Sequence, residues 1–149
     1  MVMMKPFDKL LIATDGSENA KVAVAQGLAL AKFMDAEVTA ISIVDIGSMA
    51  YLSQGPGMTD VYSYLEEAAD AAVNQVRQEG ENIGVVVKTL VKNGVPANEI
   101  IEASKGYDLI VMGTLGLTGL SHLLIGSVAE KVVRFAKGAV LVIRAPKDQ

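Results

Sequence analysis

Five short runs of aliphatic and β-branched residues punctuate this chain, and between them lie segments whose apolar residues recur at helical spacing. The runs are residues 9–14 (KLLIAT), 37–44 (EVTAISIV), 85–91 (VVVKTLV), 108–112 (DLIVM) and 139–143 (AVLVI). Their nearly continuous apolar character is that of strands buried on both faces of a parallel sheet. After the first run, Ser17 stands where an N-cap belongs, and Ala20, Val24, Gly27, Leu28 and Ala31 trace one helical face toward Met34. Val61, Leu65, Ala68, Ala69, Ala72, Val73 and Val76 trace a second, with Gly80 as its expected stop. Pro96 suits the first turn of a third helix, running through Ile100 and Ile101 to about Lys105 before Gly106 breaks the chain. Residues 127–136 carry Val128, Val132 and Phe135 on one side of a fourth, while 45–60, rich in Gly, Ser and Pro, reads as loop.

Strands and helices alternating in this way require right-handed crossovers and a sheet covered on both faces, so the expected class is doubly wound α/β with five parallel strands. Ligands of such sheets bind beyond the carboxyl ends of the strands, where the winding direction reverses. Two strand ends carry unusual chemistry: Thr14-Asp15-Gly16-Ser17 and Gly113-Thr114-Leu115-Gly116.

A length of 149 residues suits one domain with one core, spanning residues 1–149. No apolar stretch approaches the roughly 20 residues that a membrane span needs, and Lys5, Pro6, Asp8 and Lys9 interrupt the N-terminus where a signal peptide would be apolar. A cytoplasmic location is therefore expected. The absence of cysteine removes thiol catalysis and cysteine-based zinc sites, and a net charge of -4 argues against nucleic acid and membrane surfaces as partners.

The segment from Gly113 to Ser127 holds glycines at 113, 116, 119 and 126 and then opens a helix at Ser127-Val128. A strand, glycines and a helix N-terminus present backbone N–H groups and a positive dipole end to an anion, and glycine lets phosphate oxygens approach the backbone. Ser127 can add a hydroxyl. The plainer alternative is that the glycines only make tight turns and Ser127 only caps its helix. The spacing G-x2-G-x9-G-S is neither a Walker P-loop nor G-x-G-x-x-G.

With that spacing, the run Leu11-Ile12-Ala13-Thr14-Asp15-Gly16-Ser17-Glu18-Asn19-Ala20, Gly94-Val95-Pro96, Tyr107 to Gly113, Gly126-Ser127-Val128 and Val140 to Ile143, the chain resembles the universal stress protein family in its ATP-binding branch. The likeness covers nearly the whole chain except about 47–60. It implies a sheet ordered 3-2-1-4-5 with ATP across the crevice between the first and fourth strands. It also implies that Ala13, Thr14 and Asp15 meet the base and ribose and that Val44 meets adenine through its backbone. Met112, Gly113, Gly116, Gly126, Ser127 and Val128 would meet the ribose and phosphates. Asp15 is a candidate ribose acceptor or metal-shell ligand; the alternative is a charge that complements the helix dipole.

Members of that branch often place a His and a basic residue around the second glycine, whereas here Leu115 and Leu117 flank Gly116. With no Lys or Arg between Gly113 and Ser127, triphosphate charge must be met by N–H groups, the dipole and a cation, so binding is expected to depend on Mg²⁺ or Mn²⁺. Leu115, Leu117, Leu120, Leu123, Leu124 and Ile125 make the loop apolar enough to pack on its own core, a second subunit or a protein partner. His122, the single histidine, lacks a second strong ligand or a nucleophile in reach and reads as a polar loop residue.

Under the implied order, Ala139–Ile143 forms an edge strand with no Lys or Pro to discourage pairing, and a two-fold dimer through this strand is expected. Function then reads as an ATP-binding stress or regulatory protein whose occupancy orders residues 47–60 and alters a partner surface. Hydrolysis is expected to be slow or absent, because no general base beyond Asp15 is evident and no Walker lysine is present. The alternatives are a metal-dependent ATPase or nucleotide-dependent transferase, and a nucleotide-free scaffold dimer.

Overall fold

The computed structural model describes residues 6–49, 58–116 and 125–146. Along it run β1 (Lys9–Ala13), α1 (Glu18–Met34), β2 (Glu37–Asp45), a helical turn α2 (Ile46–Met49), the long α3 (Met58–Asn82), β3 (Val87–Gly94) and α4 (Pro96–Ala103). A 3-10 turn (Ser104–Gly106), β4 (Leu109–Gly113), α5 (Ser127–Phe135) and β5 (Ala139–Ile143) complete it. All strand pairs are parallel and the order is β3-β2-β1-β4-β5, as expected, so the winding reverses between β1 and β4.

The central strand explains its own sequence. Leu10, Leu11 and Ile12 are each 0 % exposed, because β1 has a strand on either side and a helical layer on either face. Leu10 and Ile12 join Val24 and Leu28 of α1 and Val73 and Val76 of α3 in one core. Leu11 and Ala13 point the other way, to Ile100 of α4 and Ala129 and Val132 of α5. Each large side chain buried here contributes about 1.5–3 kcal/mol, and Leu11→Ala would cost about 3–5 kcal/mol by leaving a cavity in the second core.

Several element limits differ from the sequence reading for identifiable reasons. Gly80 does not stop the long helix, which continues to Asn82. It is a packing position instead: a Cβ there would lie 2.6 Å from Val87 Cγ2 and 2.8 Å from the Val85 carbonyl oxygen. The turn falls at Gly84, whose φ of +82° favours glycine. Val85 sends its N–H back to the Gly80 carbonyl (2.8 Å), so β3 starts at Val87 rather than Val85. It then runs to Gly94 because β2 extends to Asp45 and pairs with it throughout. Within the expected loop 45–60 lie α2 and the first turn of α3; residues 50–57 are outside the described part. Among the described residues no helix is long and apolar enough to cross a membrane.

Candidate functional site

Two helices start at the carboxyl end of the sheet on either side of the winding reversal, and their first turns are built differently. At the head of α1, the side chains of Thr14, Asp15 and Ser17 are turned on the local backbone. Thr14 Oγ1 accepts from the Gly16 N–H (3.1 Å), Asp15 Oδ1 from the Ser17 N–H (3.0 Å) and Ser17 Oγ from the Ala20 N–H (3.2 Å). Gly16 takes φ +79° to make this turn. Ser17 is therefore the N-cap that its position suggested, and Glu18 completes a negatively charged first turn.

The head of α5 has no side-chain cap, and its first-turn acid, Glu130, is ion-paired with Arg134 one turn on. The N-cap is Gly126, and Ser127 is the first helical residue rather than the cap. The Gly126 N–H is held by the Thr114 carbonyl (2.6 Å). The N–H groups of Ser127, Val128 and Ala129 have no intrahelical partner, as in any first turn, and no side chain among the described residues caps them. The exposed Ser127 hydroxyl stands beside them. The plainer alternative for Ser127, a capping side chain, does not hold.

Gly113, Thr114, Leu115 and Gly116 lead from β4 into the crevice between these two helix heads. Thr114 donates its N–H to the Ile143 carbonyl at the end of β5 (3.1 Å). The glycines are sites of close approach: a Cβ at Gly113 would lie 3.2 Å from the Asn19 carbonyl oxygen, one at Gly116 2.6 Å from Asp15 Oδ2, and one at Gly126 3.1 Å from the Thr114 carbonyl oxygen. Ala13, Thr14 and Met112 are buried at the floor, while Gly113, Gly116, Gly126 and Val128 are half-buried and Asp15 and Ser127 exposed.

The register corrects the expectation for Val44. Ile41 accepts the Thr14 N–H and Glu37 donates to the Asp8 carbonyl, so odd-numbered residues of β2 turn their backbone polar groups toward β1. Successive residues alternate, and Val44, paired with Asn93 and itself 1 % exposed, presents its groups to β3. The ladder to β1 ends at Ala13 and Ile41, so Ile43 is the residue whose backbone edge faces the crevice beyond β1. Its signal in the sequence was the alternation itself, once the register is known. Asn19, which donates from Nδ2 to the Gly116 carbonyl (3.4 Å), was also missed as a crevice residue, although it falls within the run Leu11 to Ala20.

Among the described residues no group of three His, Cys, Asp or Glu forms a ready metal cage. Among the described residues, the Asp15 carboxylate is the acid brought against Gly116, and one carboxylate fits only a cation taking its other ligands from phosphates and water. His122, Leu117, Gly119, Leu120, Leu123 and Leu124 lie outside the described residues. At the opposite end of the sheet, Asp108 accepts from the Asp8 and Lys9 N–H groups (2.9 Å each), and these bonds hold its carboxyl below the usual aspartate range. Its role is to tie β1 to β4 at the end away from the crevice.

The glycine turns and the head of α5 thus meet at the switch point of a doubly wound α/β sheet, the place where ligands of such sheets bind. The family model described as the universal stress protein family matches residues 6–144, and the chain belongs to that family. It is 41% identical over 145 residues to universal stress protein MJ0531 of Methanocaldococcus jannaschii, covering 96% of this chain and 85% of that one. It is 34% identical over 151 residues to universal stress protein YxiE of Bacillus subtilis, covering 93% and 99%. Among solved structures, MJ0577 of Methanocaldococcus jannaschii superimposes with a TM-score of 0.83 at 28% identity, covering 96% and 99%. A universal stress protein in complex with cAMP shares the fold, with a TM-score of 0.67 at 19% identity, covering 93% and 97%.

Proposed function

We propose that this chain is an ATP-binding regulatory protein whose nucleotide lies in the crevice between β1 and β4. The observation that carries the reading is the contrast between helix heads: Ser17 Oγ takes the Ala20 N–H of α1, with the exposed acids Asp15 and Glu18 beside it, whereas the first turn of α5 has no N-cap side chain and is flanked by glycines and the Ser127 hydroxyl. The phosphates would lie on Ser127, Val128 and Ala129, with Gly113, Gly116 and Gly126 admitting them close to the backbone. Each charge-assisted N–H bond to phosphate contributes about 1.5–3 kcal/mol. Ala13, Thr14, Asp15 and Met112 would line the base and ribose side, and the backbone edge of Ile43, in place of Val44, would meet the base. Mg²⁺ or Mn²⁺, when bound between Asp15 and the phosphates, supplies the positive charge that the glycine loop lacks.

The two sheet edges support a dimer as part of this reading. β3 carries Lys88 and Lys92, whereas β5 (AVLVI) carries no charge, and α5, the helix before it, exposes Val133 and Phe135. Pairing of β5 with its copy would remove that apolar edge. Nucleotide occupancy would then alter a protein-binding surface that includes residues 47–60.

Calorimetric titration of ATP with Mg²⁺ into the parent and into Gly113→Val tests this. Tight binding by the parent, lost in a variant that still melts cooperatively and weakened by chelator, is the expected result. No heat from the folded, nucleotide-free parent would replace this reading with that of a scaffold.

A further inference from the structure

Residues 113–116 are held from three sides. β5 holds Thr114 through the Ile143 carbonyl, and the same residue accepts the Gly126 N–H at the head of α5. The third hold comes from α1: Gly113 packs against the Asn19 carbonyl oxygen, and Asn19 Nδ2 reaches over to the Gly116 carbonyl (3.4 Å). Of these hydrogen bonds, the one from Asn19 is made by a side chain. Its amide is not needed by its own helix, because Ser17 Oγ already caps the Ala20 N–H. An Asn in a first helical turn ordinarily bonds locally; this one bonds a residue 97 positions away.

We propose that Asn19 is the positioning residue of the glycine loop: its amide ties the Gly116 carbonyl to the head of α1 and fixes the path that the loop offers to a phosphate chain. The consequence for affinity rests on the nucleotide reading above; the hold on the loop does not. The bond fixes the Gly116 carbonyl and with it the peptide chain of residues 113–116 beside the head of α1. Loss of the amide releases that peptide, and a phosphate must then order it on binding.

Two variants test this. Asn19→Ala removes the donor, and Asn19→Asp keeps the shape, removes the donor and adds an acid where a helix N-terminus favours one. In nucleotide-free protein, amide hydrogen exchange at Leu115 and Gly116 is expected to rise several-fold in both. Mg²⁺-ATP affinity should fall about 3- to 10-fold in Asn19→Ala, the range for one lost hydrogen bond. Asn19→Asp should melt at or above the parent temperature while binding ATP more weakly still, opposite movements that a merely structural residue would not give. Unchanged exchange at Leu115 and Gly116 in both variants would overturn the proposal, as would faster exchange with unchanged affinity. A parent that takes no nucleotide would end the reading of the crevice, and the exchange data alone would still decide whether Asn19 holds the loop.

Discussion

The heads of α1 and α5 face one crevice from opposite sides of β1 and β4, and they have solved the same problem in opposite ways. Both helices begin with N–H groups that no helical carbonyl can satisfy. In α1 the Ser17 side chain takes the Ala20 N–H and the turn Thr14-Asp15-Gly16 holds the Gly16 and Ser17 N–H groups, while α5 places Gly126 at the N-cap and Ser127 just inside it. A side-chain cap with two exposed acids, Asp15 and Glu18, beside it makes the head of α1 the poorer anion site. A glycine N-cap forgoes only about a few tenths of a kcal/mol of capping and leaves the first-turn N–H groups open to an anion.

The contrast can be broken most severely by making α5 resemble α1. Ser127→Asp adds a charge at an exposed first-turn position where the dipole favours it, so the melting temperature should hold or rise slightly. Its carboxylate would occupy the phosphate position, and ATP affinity by calorimetry should fall at least about tenfold. Retained affinity would place the phosphates elsewhere. Ser127→Ala is the milder form, with affinity lower by about 3- to 10-fold and thermal stability unchanged, since its hydroxyl caps nothing.

Ser17→Ala should show the reverse pattern. Removing the cap costs about 1 kcal/mol, a drop of roughly 3 °C in a melt, with ATP affinity nearly unchanged. A loss of affinity comparable to that of Ser127→Ala would erase the distinction between the two helix heads.

The smallest effect concerns the other end of the sheet. Because its backbone bonds hold the Asp108 carboxyl below its ordinary range, the folded state binds that proton less readily than the unfolded chain. Its contribution is present above the unfolded value of about 3.9 and is lost as pH falls through the lower folded value. Asp108→Asn should flatten that acid limb in urea titrations below about pH 4 while leaving nucleotide affinity unaltered.

Element order, parallel sheet and strand sequence were legible because β1 and β4 are buried on both faces and so read as unbroken apolar runs. Helix ends were less so. Gly80 looks like a stop and is a packing contact, and Asp35 ends α1 in the left-handed region (φ 53°, ψ 47°) without a glycine. The glycine spacing pointed to the crevice, yet spacing cannot tell a cap from a first helical residue, which is why Ser127 needed the backbone to be placed. Val44 and Ile43 are adjacent in sequence, and only the register decides which one turns its backbone toward the crevice. Asn19 falls within the run Leu11 to Ala20, but its bond reaches across 97 positions of chain.

The most direct measurement is residue-resolved amide hydrogen exchange with and without saturating Mg²⁺-ATP. New protection at Ser127, Val128 and Ala129 together with Gly113 to Gly116, and none at Glu18, Asn19 or Ala20, is the predicted footprint. Protection at the head of α1 with the head of α5 unchanged would contradict the assignment of the phosphate site to α5.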